Sequence, residues 1–297
     1  YNVMKKMLSL LVLSFHLMAC VGEQEFVVER GCPAMLQLSA DESQVVYTAA
    51  GLFARDYMAV FGDTLTWEPS VGVTDETPQI KVATCGVGDA DRLIGQLGVE
   101  CDTLTAHPES YCIGVKEVNG KPCLYVIGGD AHGTAYGLMA LSRIMGVSPW
   151  ESWADSPVKP RKRWTVDAFE QTTYPAVRYR GIFLNDEDFA LVPWAHETYD
   201  QGTRRGELGP KTYARIFELL LRMRANTCCP AMHECTVPFF FVKGNREMAK
   251  KYGIYMGASH CEPMARNTNG EWRVSGVGDY DYVNNSDAVR NFWRERV

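Results

Sequence analysis

Three apolar runs in the second half of the chain are each followed at once by acidic, amide or histidine side chains. The runs cover residues 177–184, 227–231 and 254–257. The polar residues that follow them are Asn185, Asp186 and Glu187; His233 and Glu234; and Ser259, His260 and Glu262. Carboxyl groups can protonate a leaving oxygen or activate a water, and carboxylates and amides bind sugar hydroxyls through paired hydrogen bonds. The pattern therefore predicts an active site at the strand ends, with side chains of the types that glycosidic-bond hydrolysis uses.

Helical segments separate these three runs. An amphipathic helix is predicted over residues 210–226, a shorter one over 246–252, and a last one from Ser286 onward. Alternation of strand and helix predicts parallel strands, and functional groups of a (β/α)8 barrel gather at the carboxyl ends of its strands. Residues 176–297 are therefore predicted to hold the first three βα units of a truncated barrel, which needs eight. The alternative is a small open α/β sheet.

The first half of the chain has a different pattern. Residues 25–150 carry helical spacing over 45–61 and 133–145, a strand over 79–84, and a hairpin around Asn119-Gly120. This predicts an N-terminal α/β domain, so the fold class of the whole chain is α/β. Residues 151–175 contain several prolines and a cationic stretch, which predicts a linker or a bridging hairpin.

The N-terminus resembles an export signal. A basic start at Lys5-Lys6 precedes a short apolar run that ends at Ala19-Cys20. Residues 1–20 are predicted to be a lipoprotein-type signal peptide with Cys20 as the lipidated residue. The alternative is an ordinary signal peptide with an incidental cysteine. We expect export to the periplasm, or anchoring in the outer membrane, of a Gram-negative-type envelope.

Composition excludes several other classes. A net charge of -6 gives no sign of a nucleic-acid partner. The ten cysteines form no CxxC pair, so no disulfide scaffold is indicated, although one or two disulfides remain open. The cluster Cys228, Cys229, His233 and Cys235 lacks the usual zinc spacing, and no nucleotide-binding glycine motif is present. No metal or cofactor is expected.

Each candidate residue also has a simpler explanation. Asp186 and Glu187 could cap a turn at a strand end. Trp194 and Trp150 could stack on the apolar face of a sugar ring, but tryptophans beside prolines, such as Trp150 and Trp153, more often pack at a domain interface.

Four long motifs together are similar to those of glycoside hydrolase family 115, the xylan α-1,2-glucuronidases. They are GTAYGLMALSRIMGVSPWESWADSPVKP, RGIFLNDEDFALVPWA, YARIFELLLRMRANTCCPAM and AKKYGIYMGASHCEPM. The resemblance implies an N-terminal α/β domain, a (β/α)8 barrel, and helical and β-sandwich parts beyond it. It also implies removal of glucuronic acid or its 4-O-methyl form from xylan, with inversion and without a metal.

Site residues follow from the same resemblance. Asn185 and Asp186 match the polar pair after the first barrel strand, which makes Asp186 the leading catalytic carboxylate and Glu187 its adjacent alternative. His260 and Glu262 match sugar contacts after the third strand. An acidic sugar also needs a cationic clamp, for which Arg266 and Arg180 are candidates.

The chain departs from the family pattern at three positions. Cys261 stands where a second histidine is common, and Cys229 and His233 stand where tryptophans are common. These departures change side chains that, by the resemblance, would pack against the sugar.

The leading hypothesis is an exported α-glucuronidase, present as an N-terminal part whose catalytic partner carboxylate lies beyond Val297. Its expected partner is glucuronoxylan or a related acidic oligosaccharide, with a membrane contact only through the lipid anchor and a possible homodimer at full length. We expect the fragment alone to be inactive. One alternative is a surface lipoprotein that binds glycans without cleaving them. Another is a hydrolase of a different acidic sugar.

Overall fold

The computed structural model describes residues 25–65, 77–185, 189–259 and 261–296. The predicted signal peptide and Cys20 lie outside these ranges. Within them, no helix has the length and apolar character needed to cross a bilayer.

A mixed five-stranded sheet forms the N-terminal part. In sheet order its strands are β2 (Met35–Gln37), β3 (Gln79–Thr84), β5 (Lys121–Gly128), β4 (Tyr111–Val118) and β7 (Glu170–Thr173). Strands β2, β3 and β5 are parallel to one another. Strand β4 pairs antiparallel with β5 on one side and with β7 on the other. Asn119 and Gly120 both have positive φ, 53° and 80°, so they form the predicted two-residue reversal between β4 and β5.

Four helices connect these strands. They are α1 (Gln44–Phe61), α2 (Ala90–Leu97), α3 (Cys101–Thr105) and α4 (Ala131–Met145). Asp130 caps α4 by accepting a hydrogen bond from Gly133 N at 2.9 Å, and Gly146 ends it in the left-handed conformation. Helices α1 and α4 pack against each other on one face of the sheet, which confirms both predicted helices.

Residues 163–173 are strands of the N-terminal part, which corrects the linker prediction for 151–175. β6 (Arg163–Val166) pairs antiparallel with β1 (Phe26–Glu29), and β7 pairs with β4 at the edge of the main sheet. Pro157, Pro160 and most of the cations of this segment lie before β6, and Pro175 lies after β7, so they are outside both strands. The alternative of a bridging hairpin is not formed either, because β6 pairs with β1 and β7 pairs with β4.

The second part contains a three-stranded parallel sheet. Its strands are β8 (Gly181–Phe183), β9 (Thr227–Cys229) and β10 (Tyr255–Met256), with β9 in the middle. The helices around it are α5 (Leu191–Thr198), α6 (Pro210–Arg222), α7 (Asn245–Tyr252), α8 (Glu271–Ser275) and α9 (Ser286–Arg294). The strands are shorter than predicted, and α5 was not foreseen. The alternation of parallel strands and helices is as expected.

One continuous apolar core joins the two parts. It includes Phe53 of α1, Leu138 of α4, Phe217 of α6 and Tyr252 of α7, all buried. His132 bonds the Gly253 carbonyl at 2.6 Å, which ties α4 to the turn before β10. The N-terminal part therefore holds the amino ends of the parallel strands in place.

Candidate active site

The carboxyl ends of β8, β9 and β10 meet at one edge of the parallel sheet. Gly181, Thr227 and Tyr255 are in register, and Leu184 N donates to the Cys229 carbonyl at 2.9 Å beyond the end of β8. Asn185 follows directly and is exposed. Segments after these three strands therefore start from a common edge, as the sequence predicted.

Three of the predicted site residues lie outside the described part of the chain. They are Asp186, Glu187 and His260. Their roles remain predictions, although the neighbouring Asn185, Ser259 and Cys261 are described and stand at the expected strand ends.

Glu262 is a buried acid at this edge, whereas Glu234, which follows β9, is exposed and pairs with Arg273. The Glu262 side chain is buried, with 5% of the residue exposed, and lines a small cavity with Phe240, Gly257, Asn267 and other residues. Burial raises the pKa of the Glu262 carboxyl, as does the charge of Glu271, while a bond from Ser259 N at 3.4 Å opposes the rise. A carboxyl that keeps its proton more readily can donate a hydrogen bond, a property common at functional sites.

Sulfur atoms line the edge beside Glu262. The thiol of Cys261 lies 3.2 Å from Ser259 Oγ and 3.9 Å from Met232 Sδ. Cys229 Sγ donates to the Ala258 carbonyl at 3.6 Å, and burial followed by the nearby charge of Glu262 raises the pKa of its thiol. Two departures from the family pattern, Cys229 and Cys261, therefore place small sulfur-bearing side chains where aromatic or imidazole rings are common.

Two asparagines not foreseen from the sequence connect the segments after β9 and β10. Asn267 Nδ2 donates to the Met232 carbonyl at 3.2 Å, and Asn269 Nδ2 reaches the same oxygen at 3.5 Å. Gly270 N donates to Asn267 Oδ1 at 2.7 Å and fixes the orientation of that amide. The sequence feature that could have predicted them is the presence of two asparagines, Asn267 and Asn269, shortly after the strand-end acid Glu262.

Arg266 is a structural side chain, which corrects its prediction as a sugar clamp. Its Nε lies 2.9 Å from a Glu271 carboxylate oxygen, its Nη1 donates to the Phe292 carbonyl at 2.7 Å, and its guanidinium stacks on the Phe292 ring at 3.8 Å. Arg296 also pairs with Glu271. The guanidinium is thus engaged in holding α8 and α9 to the segment after β10.

Arg180, the other clamp candidate, lies at the opposite end of the sheet. It precedes β8, pairs with Glu109 at 2.5 Å and donates to the Arg224 carbonyl at 2.7 Å. Asn226 Nδ2 donates to the same Glu109 at 2.7 Å. Arg180 therefore joins the N-terminal part to the amino ends of the parallel strands.

Trp194, 36% exposed, lies in an aromatic cluster on α5, and its role as a sugar platform stays a prediction. Its ring packs against Trp153 at 5.3 Å and Tyr199 at 5.4 Å. Trp153 Nε1 donates to the Arg215 carbonyl at 3.3 Å. The interface explanation given for Trp150 and Trp153 therefore fits the contacts of Trp153.

Comparison with known proteins identifies the second part most directly. Residues 172–297 match the model of glycosyl hydrolase family 115. A solved family 115 4-O-methyl-α-glucuronidase, with specificity for decorated arabinogalactans, is 49% identical with a TM-score of 0.83. The match covers 92% of this chain and 34% of that one.

A second solved structure, CpGH84D, shares the fold alone. It has a TM-score of 0.52 at 10% identity, and the match covers 91% of this chain and 40% of that one. No curated protein matches the chain. On the family match to its second part and the 49% identity along nearly all of its length, this chain belongs to glycosyl hydrolase family 115.

Proposed function

We propose that the chain is the N-terminal part of an exported glycosidase that releases glucuronic acid, or its 4-O-methyl form, from an acidic polysaccharide. The observation that carries the proposal is the common edge at which β8 and β10 end. Asn185 leads into Asp186 at one strand and Glu262 follows the other. The 49% identity to a glucuronidase supports the same reading.

In this proposal β8 to β10 are the first three strands of a (β/α)8 barrel. Asp186 acts as one member of an inverting acid/base pair, with Glu187 as its alternative, and the partner carboxylate comes from a later strand. Such a pair stands about 6.5–9.5 Å apart to admit a water. Asn185, His260 and Glu262 bind the sugar.

The substrate is glucuronoxylan or a decorated arabinogalactan, and a direct assay separates the two. The longest natural form of the protein is incubated with each polysaccharide and released uronic acid is measured. We expect Asp186→Asn to lower release by roughly 100-fold or more, because a general acid or base contributes that much. Asp188→Asn is the matched control, an acid two residues away with no assigned role.

Three outcomes decide the proposal. The first anomer released, followed by proton NMR, is β if the reaction inverts the α-linkage. Release that survives both Asp186→Asn and Glu187→Gln would remove these residues from catalysis. Binding of either polysaccharide without any release would favour the glycan-binding lipoprotein.

Export and lipidation are proposed on the N-terminal sequence alone. The expected mature N-terminus is a diacylglyceryl Cys20, which mass spectrometry of the membrane fraction detects. Cys20→Ser should release the protein into the soluble periplasm. We also propose that the full-length protein forms a homodimer, which light scattering tests.

A further inference from the structure

Trp150 is separated from the aromatic cluster in which Trp153 packs against Trp194. The Trp150 residue is 45% exposed, and its ring and its Nε1 have no partner among the described residues. Met223, 48% exposed, lines the same shallow cavity together with Arg143, Gly146 and other residues. A solvent-facing indole beside a second apolar side chain is a surface on which the C–H face of a sugar ring can stack.

One guanidinium lines this cavity, and a second lies beside one of its lining residues. Arg143, in the last turn of α4, lines the cavity, and its side chain has no ion-pair or hydrogen-bond partner among the described residues. Arg161, from the cationic stretch noted in the sequence, lies against Gly146, where a built Cβ would stand 2.7 Å from Arg161 Nη2. Gly146 has a φ of 105°, so the close approach and the backbone both favour glycine.

Nearby negative charge is already engaged. Glu151, the acid next to Trp150 in the chain, pairs with Arg55 at 3.1 Å and accepts a bond from Ser152 at 2.7 Å. The cavity therefore combines an open indole with uncompensated positive charge. Its volume of about 410 Å³ falls within the range of roughly 300–1,000 Å³ that is usual for small-ligand sites.

The cavity is remote from the candidate active site. Met223 follows the last residue of α6, shortly before β9 begins at Thr227, so the cavity lies toward the amino ends of the parallel strands. Asn185 and Glu262 follow the carboxyl ends. A ligand at Trp150 is therefore not the sugar being cleaved.

We propose that Trp150, Arg143 and Arg161 form a secondary binding site for a uronic-acid-bearing oligosaccharide. The indole stacks on the sugar ring and the guanidiniums bind its carboxylate with charge-assisted hydrogen bonds. The choice of an acidic glycan rests on the proposed function, while the site itself rests on the exposed ring and its charges. Such a site would hold the polysaccharide against the enzyme between cleavage events.

The test is site-specific and does not depend on turnover. The natural full-length protein, carrying Asp186→Asn and Glu187→Gln, is labelled with 5-fluorotryptophan, and Trp150→Phe assigns the Trp150 signal in the fluorine NMR spectrum. It is titrated with a xylo-oligosaccharide bearing glucuronic acid and with the neutral oligosaccharide of the same length. We expect the Trp150 signal to shift with the acidic ligand only.

A substitution of Arg143 tests whether its positive charge contributes to binding of the acidic ligand. Arg143→Gln should weaken the acidic ligand at Trp150 by roughly tenfold, because it removes a charge-assisted bond. Arg205→Gln, an exposed arginine outside the cavity, is the matched control and should leave the affinity unchanged. Unchanged signals from the other tryptophans establish that each variant is folded.

Specific results would overturn the site. A Trp150 signal that does not move with the acidic ligand, that moves equally with the neutral one, or that keeps its affinity in Arg143→Gln contradicts it. A wild-type protein that releases no uronic acid but shifts Trp150 leaves the site intact and removes the proposed function. A wild-type protein that releases uronic acid but shows no shift of the Trp150 signal keeps the proposed function and removes the site.

Discussion

Arg222 of α6 and Asp56 of α1 form a buried ion pair between the two parts of the chain. Two N–H groups of the guanidinium donate to the two carboxylate oxygens at 2.8 Å each, and both side chains are 3% exposed. Arg222 Nε also donates to Glu218 at 2.9 Å, and Arg55 pairs with the same Glu218. This network fixes α6, which precedes β9, against the N-terminal part.

Removing the guanidinium should strongly destabilise the protein. Arg222→Met leaves Asp56 buried without its partner, so we expect a loss of roughly 3–5 kcal/mol in the free energy of unfolding. Urea unfolding measures it. Arg92→Met is the matched control, because Arg92 pairs with Asp89 on the surface and should cost less than about 1 kcal/mol. Equal losses in both variants would contradict a stabilising role for the buried pair.

The same network predicts sensitivity to acid. Burial alone would raise the pKa of Glu218, but the bond from Arg55 and the charges of Arg222, Arg55 and Arg215 lower it to about 2 from 4.5. Because the unfolded chain then takes up the proton more readily, this stabilisation is present above the ordinary pKa and is lost as the pH falls from 4.5 toward 2.

The midpoint of thermal unfolding, measured from about pH 5 to about pH 3, checks the sign of this effect. The wild type should lose stability more steeply than Glu218→Gln over that range. Glu218→Gln is itself less stable at neutral pH, so the slope and not the absolute value is compared. Parallel slopes would show that Glu218 does not titrate as inferred.

The raised pKa of Glu262 predicts that stability depends on pH in the opposite sense to that of Glu218. The pKa of Glu262 is raised by burial, so ionisation disfavours the folded state, and the cost grows as the pH rises above the ordinary value. Glu262→Gln should therefore gain roughly 1 kcal/mol of stability at neutral pH and nothing in acid, while losing uronic acid release. A variant that is destabilised at every pH would instead assign Glu262 a purely structural role.

A disulfide closes the segment between β3 and α3. Cys85 and Cys101 are linked across 16 residues, which answers the question that the cysteine count left open. Replacing both by serine should cost about 3 kcal/mol, because a loop of this length is no longer restrained in the unfolded chain. A reductant should lower the melting temperature of the wild type but not of the double variant, and Cys32→Ser, at an exposed free thiol, is the control.

The pairing of β8 with β9 requires a glycine. A Cβ built on Gly181 would stand 1.8 Å from the Thr227 carbonyl oxygen. Gly181→Ala should therefore cost about 3 kcal/mol or more and disturb the strand that leads to Asn185. Gly51 in α1 has nothing within 4 Å of its built Cβ, so Gly51→Ala should stabilise by roughly 0.5–1 kcal/mol. Calorimetry compares the two, and a tolerated Gly181→Ala would argue against this strand pairing.

Local patterns in the sequence determined the elements and their order. The helical spacing of α1, α4 and α6 and the Asn119-Gly120 reversal were all predictable, because periodicity and turn chemistry act over a few residues. The placement of Asn185 and Glu262 after parallel strands followed in the same way. These features also carried the family resemblance.

Only the tertiary structure decided which candidate side chains were already occupied. Arg266 and Arg180 had the residue types that bind an acidic sugar, but they contact Phe292 and Glu109, which lie 26 and 71 residues away along the chain. Trp150 and Trp153 are three residues apart and looked equivalent, yet Trp153 is partly buried against other rings and Trp150 is exposed. A side chain is available for a ligand only when nothing else in the fold satisfies it, and that depends on contacts between distant segments.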